Sequence, residues 1–176
     1  MLDARFPDYV QRLARNEDFL RCVDLNDNNL RKGYGDELVL RFFAVKNFKH
    51  DVEEFLTRYM KAVARGDQLF SFHEEEGVFN ELWALLGAAF EKGDVFKAKT
   101  DDGRNIGPFS PALYEMITYG MACHHEKIKM LDPSQLRQRI VDCIRDAKNR
   151  NLTGGGSNSR KKFLSRLAFA EEEFAK

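Results

Sequence analysis

The segment from Asp36 to Val45 constrains the fold most, because it is the densest apolar stretch of the chain and carries one arginine in its middle. Its apolar residues form two adjacent stripes at helical spacing, so a helix built from it is apolar around much of its circumference. Such a helix belongs at the centre of a domain. We therefore predict a central helix from about Asp36 to Lys46. One stripe is Leu38, Phe42 and Val45, and the other is Val39 and Phe43.

Helical periodicity continues through most of the chain, whose 176 residues are a usual length for one domain. The region 94–109 lacks this period and contains a turn signal, Asp101-Asp102-Gly103, between two short segments. The fold class predicted for residues 1–176 is all-α. We expect a single compact multi-helix domain of about seven helices, with one short irregular or hairpin insertion near 94–109.

Several helix starts can be placed from local signals. Asn16, Asp51, Ser110-Pro111 and Asp132-Pro133 are predicted starts, because short polar side chains cap helices and proline suits the first turn. The polar stretch Asp24 to Gly35 predicts a loop, because it is rich in Asn, Asp and Gly.

A longer helix is predicted from Asp67 to about Lys92, where hydrophobic residues keep the helical period. Gly77 lies inside it and lowers helix propensity by up to ~1 kcal/mol relative to alanine. A kink or a split near this glycine is therefore compatible with the pattern.

Three observations bear on the cellular compartment in which the protein is found. No apolar run approaches the roughly 20 residues of a membrane helix, and the N-terminal residues lack the apolar core of a signal peptide. Three cysteines, an odd number without metal-like spacing, favour free thiols in a reducing cytoplasm. We expect a cytoplasmic protein without a membrane partner.

Charge is unevenly distributed along a chain whose formal net charge is zero. Residues 127–166 contain eleven lysines and arginines against three aspartates. This basic sub-region is the clearest compositional indication of an anionic partner.

Two histidine-containing stretches are candidates for chemistry, and each has a simpler structural interpretation. Cys123-His124-His125 suggests a metal, but adjacent helical residues point apart, and histidines suit a helix C-terminus. His73 beside Glu74–Glu76 suggests acid–base catalysis, but acids also favour a helix N-terminus. We predict no metal site, no cofactor and no catalytic residue.

A phosphate contact is the alternative to a mobile linker for Gly154–Gly156 and the cations that follow. A glycine-rich loop that enters a helix presents free N–H groups to phosphate, although the Walker A spacing is absent. The candidate nucleic-acid or phosphate-binding residues are Arg137, Arg139, Arg160, Lys161, Lys162 and Arg166.

Arg41 has two interpretations, because it lies within an otherwise apolar helix. It pairs with Glu37 at the surface, at the favourable i,i+4 spacing, or it is buried against an acid of a partner domain. The second interpretation makes Val39, Arg41 and Phe43 a candidate partner interface.

Three stretches, in order, resemble the middle and C-terminal parts of the bacterial DUF262 proteins, from about Asn16 onward. In the first, a basic loop with Arg31 and Lys32 precedes the apolar helix. The stretches are Asp-Glu-Leu-Val-Leu-Arg-Phe-Phe-Ala at 36–44, Phe-Ser-Pro-Ala-Leu-Tyr-Glu at 109–115, and Thr-Gly-Gly-Gly-Ser-Asn-Ser-Arg-Lys-Lys at 153–162 with Arg-Leu at 166–167.

The resemblance implies the helical part of a phage-defence protein similar to the restriction subunit of GmrSD-type systems. Family members carry a ParB-like nucleotide-hydrolysing domain with an Asp-Gly-Gln-Gln-Arg motif, which this sequence lacks, so no catalytic residue is transferred. We expect a non-catalytic module, from a truncated gene or a split subunit, that packs on such a domain or partner chain and contacts DNA. The alternatives are a self-contained nucleic-acid-binding protein and a small enzyme with an unrecognised site.

Overall fold

The computed structural model describes residues 5–48, 55–100, 104–153 and 159–176, which form ten helices and one two-stranded antiparallel sheet. The prediction of a multi-helix fold with a short insertion is confirmed. The helices are α1 (Arg5–Leu13), α2 (Glu17–Val23), α3 (Asp27–Arg31), α4 (Tyr34–Phe48), α5 (Phe55–Arg65), α6 (Phe72–Ala89), α7 (Pro111–Cys123), α8 (His125–Ile128), α9 (Pro133–Asn149) and α10 (Arg160–Ala175), and the strands are β1 (Lys97–Lys99) and β2 (Asn105–Phe109).

Three of the predicted helix starts are confirmed by their capping hydrogen bonds. The side chain of Asn16 accepts a bond from the Phe19 amide at 2.9 Å. Ser110 caps α7 with proline in the first turn, and Asp132 caps α9 in a capping box. The predicted cap Asp51 and the turn at 101–103 lie outside the described residues.

The described residues hold ten helices, against the predicted number of about seven. Two of the short ones, α3 and α8, were not predicted. Helix α3 lies inside the predicted loop Asp24–Gly35, where Asn26 caps it by accepting from the Asn29 amide at 2.9 Å. Helix α8 follows α7 directly. The long helix begins at Phe72 and not at Asp67, and it runs through Gly77 without a break.

The non-helical insertion is a hairpin with an irregular register. Lys97 lies opposite Phe109, whereas Ala98 lies opposite Ile106, so β2 contains a bulge. Phe109 at its end contacts the rings of Tyr34 and Tyr114, with centroids 6.3 and 6.0 Å away. The hairpin thereby joins the N-terminal ends of α4 and α7.

Helix α7 is the most enclosed helix of the described chain, since every residue from Ala112 to Met121 is buried. It contacts α4, α6, α8 and α10. The predicted central helix α4 has six apolar residues in the core, but Leu40 and Arg41 on its outer side are partly exposed. The sequence thus predicted correctly that α4 contributes to the core, but the most buried helix of the described residues is α7.

Hydrogen bonds join α7 to both α4 and α10. On α7, Tyr114 donates to the Leu38 carbonyl of α4 at 2.7 Å. Tyr119 donates to Glu171 of α10 at 3.0 Å. Between α7 and α10 the contacts advance together, from Glu115 with Arg166 to Gly120 with Phe174, so these two helices run in the same direction.

Substitution of Gly120 by alanine is expected to destabilise the fold by about 1–3 kcal/mol, the usual cost of overpacking a core. A Cβ at this position would lie 2.3 Å from a ring carbon of Phe174, where α10 approaches α7. Gly77→Ala is the matched control, because a Cβ there meets nothing within 4 Å and alanine favours helix. Urea denaturation should rank Gly120→Ala below the parent and Gly77→Ala slightly above it; equal stabilities would contradict the close approach.

Candidate functional site

A cavity of about 360 Å³ lies where the N-terminal halves of α4, α7 and α10 meet the first residue of α5. Charged side chains come from all three helices, two from α4 and one each from α7 and α10, and aromatic rings form the walls. The lining residues are Tyr34, Glu37, Arg41, Phe55, Pro111, Ala112, Glu115, Phe163 and Arg166.

Glu115 of α7 is the centre of the charged cluster, with only 6% of its side chain exposed. One carboxylate oxygen accepts from Nη1 of Arg41, and the other accepts from Nη2 of Arg166 at 3.1 Å. The Arg166 side chain is 2% exposed. One buried carboxylate is thus shared by two arginines from different helices.

Arg41 also reaches outward to Glu37, whose Oε1 accepts from its Nη2 at 2.8 Å. The Glu37 side chain is 44% exposed and that of Arg41 is 20% exposed, so this second pair faces solvent. Burial lowers the pKa of Arg41, but the carboxylates of Glu115 and Glu37 outweigh it and hold the pKa above its ordinary value.

Aromatic rings support both guanidinium groups. The Arg41 guanidinium lies 5.9 Å from the centroid of Phe55, and that of Arg166 lies 5.9 Å from the centroid of Phe163. The two rings are themselves 5.9 Å apart. Tyr34 lines the cavity too, and burial, followed by the charge of Glu37, raises its pKa.

The chemistry of these groups favours binding over proton transfer. Arginine stays protonated in proteins, and both oxygens of Glu115 already accept hydrogen bonds from cations. The cluster can instead bind a charged group by electrostatic attraction and hydrogen bonding.

The three residues of the candidate partner interface, Val39, Arg41 and Phe43, do not form one exposed surface. Val39 and Phe43 are fully buried in the chain's own core, because α4 packs them against neighbouring helices. Arg41 lies in the cavity and finds its buried acid, Glu115, within this chain. Both interpretations of Arg41 therefore describe part of its contacts, and neither acid comes from a partner chain.

Three of the candidate phosphate-binding arginines contact other parts of the chain, although Arg137 is exposed and Arg139 is half-buried. Arg137 donates to the Ala89 carbonyl at 3.3 Å and lies over Phe90. Arg139 donates to the carbonyl of Phe174 at 3.4 Å. Arg166 is buried in the cavity, so it is not a surface contact for a duplex.

The other three candidates lie in the first turn of α10: Arg160 and Lys161 are exposed, and Lys162 is half-buried. Lys148 and Arg150 are exposed at the end of α9, across the connection to α10. No acidic residue occurs between positions 147 and 170. We call these five cations the basic end: Lys148, Arg150, Arg160, Lys161 and Lys162.

The glycine-rich stretch Gly154–Gly156 lies outside the described residues. Among the described residues, no group of three or more His, Cys, Asp or Glu side chains is arranged to hold a metal ion. Cys22, Cys123 and Cys143 are in no disulfide bond. In the same part of the chain, no helix combines the length and apolarity that a bilayer span requires.

Glu115 is the functional candidate that the sequence interpretation missed. A signal for it was present, because it is the one charged residue in the buried stretch of α7. Arg166 carries a similar signal, since it falls on the apolar stripe of α10 between Phe163 and Ala170. An isolated acid and isolated bases on apolar faces indicate ion pairs between those faces.

Comparisons of the chain with protein-family models, with curated proteins and with solved structures find no match. The cavity itself unites three separate parts of the sequence. Arg41, Glu115 and Arg166 come from the first, second and third stretches for which the DUF262 resemblance was noted, one from each.

Proposed function

We propose that this chain is a non-catalytic helical module of a DUF262-type bacterial defence or restriction system, and that it contacts DNA through its basic end. The observation that carries the DNA contact is the basic end itself. Five cations flank one connection between α9 and α10, with no acid in the surrounding sequence. Cations in such a group neutralise successive phosphates of a nucleic-acid backbone.

The family assignment within this proposal is supported by the three resembling stretches, which supply all four charged residues that line one cavity. Such a module acts beside a ParB-like nucleotide-hydrolysing domain or partner chain. Val39 and Phe43 are excluded from that contact, since they lie in the core. We place the module in the bacterial cytoplasm, where both DNA and reduced cysteines are found.

Binding of duplex DNA should depend steeply on salt. If the five cations of the basic end each neutralise one phosphate, affinity should fall about 500-fold between 50 and 200 mM salt. Fluorescence anisotropy with a labelled duplex, at both salt concentrations, measures this. Absence of binding at 50 mM salt would remove DNA from the proposal.

A charge-reversed variant tests whether DNA binds at the basic end or responds only to the net charge of the protein. Arg160→Glu/Lys161→Glu should weaken DNA binding at least tenfold, while acids in the first turn of α10 leave the helix stable. Lys61→Glu/Arg65→Glu is the control, because these exposed residues of α5 give the same change in net charge. Equal losses in the two variants would show that net charge alone governs binding.

A further inference from the structure

We propose that two copies of this chain associate through the surface around Leu69, in the connection between α5 and α6. We call this surface the Leu69 patch. It consists of Leu69, the hollow beside it, and two charged residues at its edge, Arg65 and Asp67. The proposal is independent of DNA contact, because the patch shares no residue with the basic end.

Leu69 protrudes from the surface more than any other large apolar residue of the described chain, since it is 91% exposed. The end of α5 holds the connection that carries it. Gly66 has a φ of +78°, and the amides of Gly66 and Asp67 donate to the carbonyls of Val63 and Ala62 at 3.0 and 2.9 Å. These two bonds are those of a Schellman motif, which satisfies carbonyl groups at a helix end. Leu69 therefore extends into solvent from a hydrogen-bonded turn.

A hollow of about 390 Å³ lies directly beside Leu69, which forms part of its edge. Its apolar walls come from α1, from the end of α5 and from the start of α6, and they are formed by Phe6, Val63, Phe70 and Phe72. The ring centroids of Phe6 and Phe70 are 4.9 Å apart, and those of Phe70 and Phe72 are 5.1 Å apart. A hollow of this size is in the range that accepts small molecules, so it has room for a leucine side chain.

A protruding apolar side chain and an apolar hollow on the same face favour a second copy as the occupant. When a two-fold axis relates two copies, both present the same patch to each other. Leu69 of one copy then enters the hollow of its partner, and the reverse contact is identical. Both contacts remove apolar surface from water. An unrelated partner would need a matching hollow and a matching protrusion, whereas a second copy has both.

The charges of the patch are complementary to those of a second copy. Arg65 and Asp67 flank Gly66, and both are exposed. Among the described residues, neither side chain has a hydrogen-bond or ion-pair partner. A two-fold axis brings Arg65 of one copy toward Asp67 of the other, and this pairing occurs twice in the dimer. A patch with a single sign of charge would repel its own copy.

Sedimentation equilibrium of the full chain between about 1 and 500 µM tests the proposal. We expect the mean mass to rise from that of a monomer toward that of a dimer. The Kd should be on the order of 10–100 µM, because a patch of this extent is smaller than the interface of a permanent dimer. A monomer mass over the whole range, or growth beyond the dimer, would overturn the proposal. Unfolding and DNA binding measured at about 1 µM chain therefore report on the monomer.

Leu69→Arg should weaken association at least about tenfold, because a guanidinium group would have to enter the apolar hollow. Met130→Arg is the matched control, since Met130 is 79% exposed and does not line the hollow. Both substitutions lie at exposed positions, and circular dichroism verifies that both variants fold. Equal weakening in the two variants would indicate unspecific adhesion of apolar surface and would contradict the proposal.

An exchange of two charges tests the two-fold arrangement separately. In the dimer, Arg65→Asp places two acids against each other and Asp67→Arg places two arginines against each other. Each single variant should therefore associate at least about threefold more weakly than the parent. The double variant Arg65→Asp/Asp67→Arg restores opposite charges, so its Kd should return to within about twofold of the parent value. A double variant as weak as the single ones would show that these residues do not face each other, and the two-fold arrangement would be wrong.

Discussion

Glu115→Ala is expected to lower the free energy of unfolding by about 3–5 kcal/mol, because it leaves two guanidinium groups buried without their shared carboxylate. Arg166 is affected most, since its side chain is 2% exposed and cannot turn to water. For a protein of this size the melting temperature should fall by roughly 6–20 °C. Urea denaturation and a thermal melt measure the two quantities.

Two further variants show whether burial causes this loss. Glu37→Ala removes the exposed acid of the same cluster and should cost less than about 1 kcal/mol. Replacing the whole cluster, as Arg41→Met/Glu115→Leu/Arg166→Met, should recover much of the stability, since apolar groups of similar volume replace buried ion pairs at little cost. A triple variant less stable than Glu115→Ala would contradict this account.

Phe43→Ala should destabilise the isolated chain by about 3–5 kcal/mol, the usual range for removing a buried ring. Phe43 is fully buried, and ring centroids of Phe42, Phe70 and Phe79 lie 5.1, 5.2 and 5.9 Å from its own. Unfolding followed by circular dichroism in urea gives the difference. The slope of the unfolding free energy against urea concentration should be unchanged if the native state of the variant stays as compact as that of the parent.

The matched control for Phe43 is Leu69→Ala, because Leu69 is a large apolar residue that is 91% exposed. Its replacement should alter stability by less than about 0.5 kcal/mol. If Phe43→Ala behaved like Leu69→Ala, Phe43 would lie on a surface and the partner-interface interpretation would be restored.

Local features of the fold were predictable from sequence because local chemistry determines them. The caps at Asn16 and Asp132 satisfy amides three residues away, so a short window contains all the information needed. The prediction of a loop from Asp24 to Gly35 was wrong at α3 for a related reason. Asn26 belongs to a composition typical of loops, yet its side chain begins α3.

The cavity was beyond sequence reasoning because its members are distant in the chain. Arg41 and Glu115 are 74 positions apart, and Glu115 and Arg166 are 51 apart. Helical periodicity indicates which face of a helix is buried but not which two buried faces meet. Arg41 and Arg166 were therefore singled out separately, one for a partner surface and one for DNA, and their common acid was missed.

The contacts of α10 with α7 also specify register. Arg166 meets Glu115 near one end of the pair, and the ring of Phe174 fits against Gly120 further along. A slip of one helical turn would move Arg166 about 5.4 Å along α7 and bring a different residue to the Phe174 ring. Apolar stripes alone tolerate such a slip, because most of their residues are interchangeable. The Arg166–Glu115 ion pair and the close packing of Phe174 on Gly120 would both be lost in such a slip. These two contacts therefore fix the register in which α10 packs on α7.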